Sequence, residues 1–287
     1  MLDPYEKWYK RAFNQFNINR FVFERANAFF YTRDDNTKVR LRDVHIWSMD
    51  DVDWVTRNFL AGKKFNFYCT TERYDWTKIP PHPTRFDGHK EWRNNIFKPA
   101  QEKIPGFIKG KDAVFELDCA GGHKRVADDW EKGIAVARKI VDTCKSLGIR
   151  EMWADFSGSG GLHLWVPWEQ LLKFHADSEY AEAGLELVAL GEFAKKFVAD
   201  VALLSGAFGG PDKVLFIDGI TVDISPNTRR GLIRCPYSLH PKTNNVVYPF
   251  DKKEFEELLP VDITTKFSVN YVLSHRELKN RGVPDIL

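Results

Sequence analysis

Only four of the 287 residues are cysteine, Cys69, Cys119, Cys144 and Cys235, and they are scattered without a C-x-x-C pair. That scarcity excludes a disulfide framework and a cysteine-built structural zinc site, and it fits a reducing compartment. Long apolar runs are missing too: no stretch approaches the roughly 20 residues that cross a bilayer, and the charged, aromatic first twenty residues hold no apolar signal core. A soluble intracellular protein is expected. Charge of one sign is also lacking. The 42 Lys and Arg nearly balance the 40 Asp and Glu, leaving a net +2, so the total neither demands nor excludes an acidic partner. Internal repeats and low-complexity tracts are absent as well, which excludes a solenoid or a disordered chain.

What is present is aromatic. Apolar residues make up 43% of the chain and aromatic ones 14%, with 22 Phe and 9 Trp, enough for a substantial core. The early spacing predicts a helix, then an extended stretch over 27–32, a turn at 33–36 and a second extended run over 38–47. Ser48 caps a helix from Met49 to Leu60 that stops at Gly62, and Phe65 to Thr70 alternates as a strand. Residues 78–98, with Pro80, Pro81 and Pro83, read as a long irregular loop, basic and aromatic enough to touch nucleic acid. A helix over 128–147, a hairpin over 151–167 around Ser157-Gly-Ser-Gly-Gly161, helices across 168–204, an extended run over 213–223, a short strand over 231–236 and a helix over 251–259 follow.

The chain is organised around Ala113-Val-Phe-Glu-Leu-Asp118. As a strand it turns Val114, Glu116 and Asp118 to one face and Phe115 and Leu117 to the other. Two carboxylates on one face of an apolar strand are costly without a cation, which points to a divalent metal held by oxygen ligands. From here onward the element order matches a split β-α-β-β-α-β unit, in which the first strand lies between the third and the fourth. That order sets His163 and Asp223 beside Glu116 and Asp118. Three carboxylates can hold two divalent ions for in-line displacement at a phosphate, and a small-residue turn can cradle a triphosphate through its N–H groups. Arg234, His240 and Lys242 supply further donors.

Phe115-Glu-Leu-Asp118, Ser157-Gly-Ser-Gly-Gly-Leu-His-Leu-Trp-Val166 and Thr221-Val-Asp223, followed by Leu232-Ile-Arg-Cys-Pro-Tyr-Ser-Leu-His-Pro-Lys-Thr243, resemble the three motifs of the archaeo-eukaryotic primase superfamily. The likeness is greatest to the small catalytic subunit of archaeal and eukaryotic DNA primase. It covers about residues 20–250 and is strongest from 113 onward. It implies an α+β archaeo-eukaryotic primase fold, with an N-terminal α/β unit (1–110) packed on an RRM-like catalytic unit (111–250). A helical insertion would occupy about 168–210, and a C-terminal helix and tail 251–287. It also implies that Glu116, Asp118 and Asp223 are catalytic ligands of two Mg²⁺ or Mn²⁺ ions. Ser157, Gly158, Ser159 and His163, with Arg234, His240 and Lys242, would bind the nucleotide.

Three departures from the family stand out. The first motif is E-x-D where D-x-D is usual. Ser159-Gly160 replaces basic residues, so phosphate contact shifts toward the backbone. The cysteines cannot build the zinc knuckle that many relatives carry. The activity implied is primer synthesis on single-stranded DNA from nucleoside triphosphates, in the cytoplasm or at the nucleoid, with a primase large subunit or a replicative helicase as partner and the Pro-rich stretch and Arg125 as weaker template contacts. Two alternatives stay open: a gap-filling or end-joining polymerase of the same superfamily, and a non-catalytic nucleic-acid-binding module.

Overall fold

In a computed structural model of the chain, residues 5, 8–9, 13, 16, 19–33, 35–58, 63–82, 88–119, 126–175, 187–209, 214–257, 267–274 and 285–287 are described. The strands, in chain order, are β1 (Ala26–Thr32), β2 (Lys38–His45), β3 (Phe65–Thr70), β4 (Glu72–Tyr74), β5 (Ile108–Lys111), β6 (Ala113–Cys119) and β7 (Trp153–Phe156). They continue with β8 (Leu162–Val166), β9 (Phe208–Gly209), β10 (Val214–Ile217), β11 (Ile220–Asp223), β12 (Leu232–Arg234) and β13 (Tyr248–Pro249). The fold is mixed α+β, built on antiparallel sheets.

The larger sheet has seven strands in the order β13-β7-β8-β6-β11-β10-β9. The acidic strand β6 therefore lies between β8 and β11, the neighbours that the order of elements predicts. Its alternation sends Phe115 and Leu117 to one face, where helices Val126–Ser146 and Leu187–Leu204 cover the sheet. There Phe115 meets Phe197 edge-on at 6.5 Å. The opposite face looks toward the N-terminal part of the chain, where Phe21 lies edge-on to both Trp153 and Trp165 at 5.3 Å.

A four-stranded sheet, β12-β3-β1-β2, forms the second layer. Its inner face is aromatic, with Phe29 stacked on Phe67 at 4.6 Å and both fully buried. A buried ion network ties the layers together. Arg25 donates to the carbonyls of Thr70 and Thr71 and pairs with Asp112, and Asp112 in turn accepts the Trp168 N–H at 2.8 Å. Arg73 approaches Asp112 at 3.5 Å and binds Glu169 at 2.7 Å. Burial opposes the charge on Asp112, but Arg25 and Arg73 hold its carboxyl below the ordinary range. The ammonium of Lys111, fully buried, sits 2.8 Å from Glu72. Buried charges of this kind are tolerated only when paired.

Three segments differ from the sequence expectation. The run over 213–223 is a hairpin, β10 and β11, because Asp218-Gly219, both at positive φ, form a two-residue turn. Residues 89–103 are helical where a loop was expected through 98. The segment His89–Trp92 passes through a wide π turn, Arg93–Phe97, into Lys98–Lys103. The clustered prolines precede this helix, and the wide turn relieves the clash that Pro99 would impose on a regular helix. The short strand expected over 231–236, which the resemblance puts in the 111–250 unit, is β12 and joins β3 of the N-terminal sheet. The ends expected at Gly62 and over 257–259 fall at or against residues outside the described set. No described helix is long and apolar enough to cross a membrane.

Candidate active site

Register builds the site. On β6, Glu116 is directly opposite Asp223 of β11 on one side and His163 of β8 on the other, and His163 is in turn opposite Asp155 of β7. Directly paired residues share a face, so Asp223, Glu116, His163 and Asp155 form one row across four strands. Asp118 stands two residues along β6 from Glu116, exposed at the rim and paired with Thr221.

The row is electrostatically graded. His163 is fully buried, and its Nδ1 lies 2.6 Å from Asp155 Oδ1. The other oxygen of Asp155 accepts the Trp165 Nε1–H at 2.7 Å, so this carboxylate fixes the imidazole in place. Burial works to lower the His163 pKa, but the carboxylates of Asp155 and Glu116 outweigh it and the net shift is upward. The second ring nitrogen, Nε2, is buried without a hydrogen-bond partner, 3.9 Å from Glu116. It is aimed into the row, and the upward shift favours a proton on it. Burial raises the Glu116 pKa, and the charges of Asp118 and Asp223 add to it against the pull of His163 and Arg234.

The glycine turn closes over the end of this row. Ser157 Oγ accepts the Gly161 N–H at 2.8 Å, so this hydroxyl first serves the turn. A methyl group at Gly161 would lie 2.5 Å from Asp118 Oδ1 and 2.8 Å from the Leu117 carbonyl, so only glycine fits between turn and strand. Gly158 has φ of 84°, and its Cα faces His240. The buried Gly158 lies at the base of the turn and Ser159 is exposed at its tip. Among the described residues, the N–H groups of Gly158, Ser159 and Gly160 have no acceptor.

A second turn backs the first. Thr243 Oγ1 donates to the Gly158 carbonyl at 2.6 Å, and the N–H groups of Lys242 and Thr243 point to His240 Nδ1 at 3.3 Å. Burial, with Arg234 and Lys242 nearby, pushes the His240 pKa down to about 3. The ring is therefore neutral with its proton on Nε2, a donor rather than a cation. Arg234, half-buried on β12, is held by Asn66 Oδ1 at 3.4 Å and acts electrostatically on Glu116, His163 and His240 at once. Lys242 is exposed beside it.

The structure thus brings the residues expected from the sequence into one neighbourhood. Sequence reasoning missed Asp155, although its alternation with Trp153 two residues before it was the available signal. Arg125 and the 119–123 turn fall largely outside the described residues.

The carboxylates suit a hard divalent cation in charge and donor type. Asp118 and Asp223 raise the Glu116 pKa, so the three acids lie within electrostatic reach of one another. They are not closed around a common point, however. Asp223 accepts from the Ser225 N–H at 2.7 Å and from its hydroxyl at 3.0 Å, and no three His, Cys, Asp or Glu side chains among the described residues are arranged to ligate one ion. The donor chemistry fits a hard divalent cation, and Asp223, engaged with Ser225, is the member of the set not free to offer both oxygens.

No protein-family model matches the chain, and no curated protein matches it. Among solved structures, the polymerase domain of Mycobacterium tuberculosis ligase D, in complex with DNA, is similar over 95% of this chain and 86% of its own, with a TM-score of 0.53 and 15% identity. The two share a fold. At that identity the likeness concerns the course of the backbone, and the roles of side chains rest on the geometry above.

Proposed function

We propose that this chain is a template-directed nucleotidyltransferase of the primase-polymerase type, which joins nucleoside triphosphates into short primers on single-stranded DNA. The observation that carries the reading is the cross-strand row Asp223–Glu116–His163, bordered by a glycine turn and by Arg234. The likeness of fold to a polymerase domain and the motif resemblance to the archaeo-eukaryotic primase superfamily, with its RRM-like catalytic unit, support it independently.

In this reading Glu116, Asp118 and Asp223 would hold two Mg²⁺ or Mn²⁺ ions, which would supply Lewis-acid activation of an attacking hydroxyl and offset charge on the leaving pyrophosphate. The chain's own residues bind and orient the triphosphate. His163, held through Nδ1 by Asp155, which favours its protonated form, presents Nε2 to a phosphate oxygen. The N–H groups of Gly158 to Gly160 form a small anion cradle. Neutral His240 donates from Nε2, and Arg234 and Lys242 balance the charge that grows at the leaving group. Ser157 holds the turn in shape.

The ligase D likeness favours a second reading, a gap-filling or end-joining polymerase that extends an existing end. One assay separates the two. Single-stranded template without primer, supplied with ribo- or deoxyribonucleotides, yields new short products from a primase and none from an extender. Absence of product on both primed and unprimed templates would refute nucleotidyl transfer.

A further inference from the structure

We propose that the outer face of the four-stranded sheet is the track on which the single-stranded DNA template lies as it approaches the carboxylate row. This rests on the nucleotidyltransferase reading and adds a location built mostly from residues outside the three motifs. The face has a cavity of about 660 Å³ whose lining includes five cationic side chains, Lys38, Arg40, Lys63, Lys64 and Lys242, and no acidic one. Lys38, Arg40, Lys64 and Lys242 form no ion pair with a carboxylate among the described residues. The charge of these four is therefore uncompensated among the described residues, which complements a polyanion.

Aromatic rings are interleaved with those cations. Phe30 is directly opposite Arg40 on β2 and Asn66 on β3, so the three share the outer face, and Thr32 opposite Lys38 extends the same face by one pair. The Phe30 ring is half-buried and flanked by the guanidinium groups of Arg40 at 5.7 Å and Arg42 at 5.9 Å. Tyr68 lies 5.1 Å from Phe30 and carries Arg234 at 5.7 Å on its own ring. Rings for base stacking set among cations for phosphates are what a single strand requires, whereas a duplex would hide its base faces. The row ends at Arg234, whose charge reaches Glu116 and His163, and Lys242 lines the cavity from the nucleotide side. The track is continuous with the site.

The test uses the full chain and a fluorescein-labelled dT20 strand, with binding followed by anisotropy across a salt series in EDTA without nucleotide. For single strands the salt dependence is about 0.7 per phosphate neutralised, so five engaged cations give a log–log slope near −3.5. The double variant Lys38→Gln/Arg40→Gln, both exposed and outside the carboxylate site, should weaken binding at least tenfold and flatten the slope by about 1.4. Phe30→Leu, which keeps an apolar side chain, should weaken binding about fivefold or more with the slope unchanged. Nucleoside triphosphate affinity should stay at the wild-type value in both variants.

Wild-type affinity and slope in the double variant would overturn the proposal, as would a parallel loss of triphosphate affinity, which would make the cavity a second nucleotide site. Template-dependent synthesis is measured separately. Synthesis with unaltered strand binding in the variants removes the track and leaves the enzyme reading intact. Loss of strand binding in variants of a protein that synthesises nothing leaves the track and removes the enzyme reading.

Discussion

Replacing Asp155 by asparagine tests the graded row with almost no change of shape. The carboxylate accepts two hydrogen bonds, from His163 Nδ1 at 2.6 Å and Trp165 Nε1 at 2.7 Å, in a fully buried setting. An amide offers only one oxygen. Indole N–H is a donor only, so the amide oxygen turns to Trp165 and the NH₂ group faces His163 Nδ1. Nδ1 must then give up its proton, and the imidazole becomes neutral with hydrogen on Nε2. Losing a charge-assisted hydrogen bond of this kind removes about 2 kcal/mol of stability, read as a lower urea midpoint at unchanged slope. The carboxylate that favours a positive charge on the ring facing the triphosphate disappears with it, and affinity for a nucleoside triphosphate should fall about tenfold to a hundredfold. Side-chain ¹⁵N NMR reads the tautomer directly. An Asp155→Asn protein that keeps Nδ1 protonated and binds triphosphate like wild type would refute the role given to Asp155.

Further outcomes follow from the same geometry. Asp118→Ala should cut synthesis about a thousandfold while strand binding persists, which would eliminate the non-catalytic module reading; loss of binding together with activity would go against it. Gly161→Ala should cost about 1–3 kcal/mol and displace Asp118, since the added methyl meets a backbone carbonyl as well as the carboxylate; thermal melting and a synthesis assay check both effects. Lys111→Met leaves the Glu72 charge buried and should cost about 3–5 kcal/mol by denaturant titration. His45 is stacked on Trp76 with Trp47 tilted against it, and burial pushes its pKa down to about 3. A depressed histidine takes up its proton first in the unfolded state, so stability is lost as pH falls below about 6.5, by about 2 kcal/mol at pH 5. His45→Phe should flatten that acid limb in a series of pH-dependent melts.

The acidic strand was legible because a period-two alternation places Glu116 and Asp118 on one face whatever the partners. Its neighbours followed from the order of elements, since a helix between two strands leaves room for a third. Asp155 was harder to read. It lies in a short run of Trp, Ala and Phe, and its bond to His163 depends on a hairpin register that the turn alone sets. The hairpin at Asp218-Gly219 carried an Asp-Gly signal between apolar residues and reads, in hindsight of its register, as the commonest kind of tight turn. The basic face of the second sheet was not legible at all. Its cations come from segments around 38–40, 63–64 and 242, and only tertiary pairing collects them.

The strand Leu232–Arg234 belongs by sequence to the block that follows Asp223, yet it pairs with β3 in the other sheet. The guanidinium that offsets the acids is thus mounted on a different layer from the acids themselves. Sliding one layer against the other alters the charge balance at Glu116 without touching any residue near it. The locking pairs Arg25–Asp112 and Arg73–Glu169, which bond to none of the three acids, thereby become guardians of the acidity of the site.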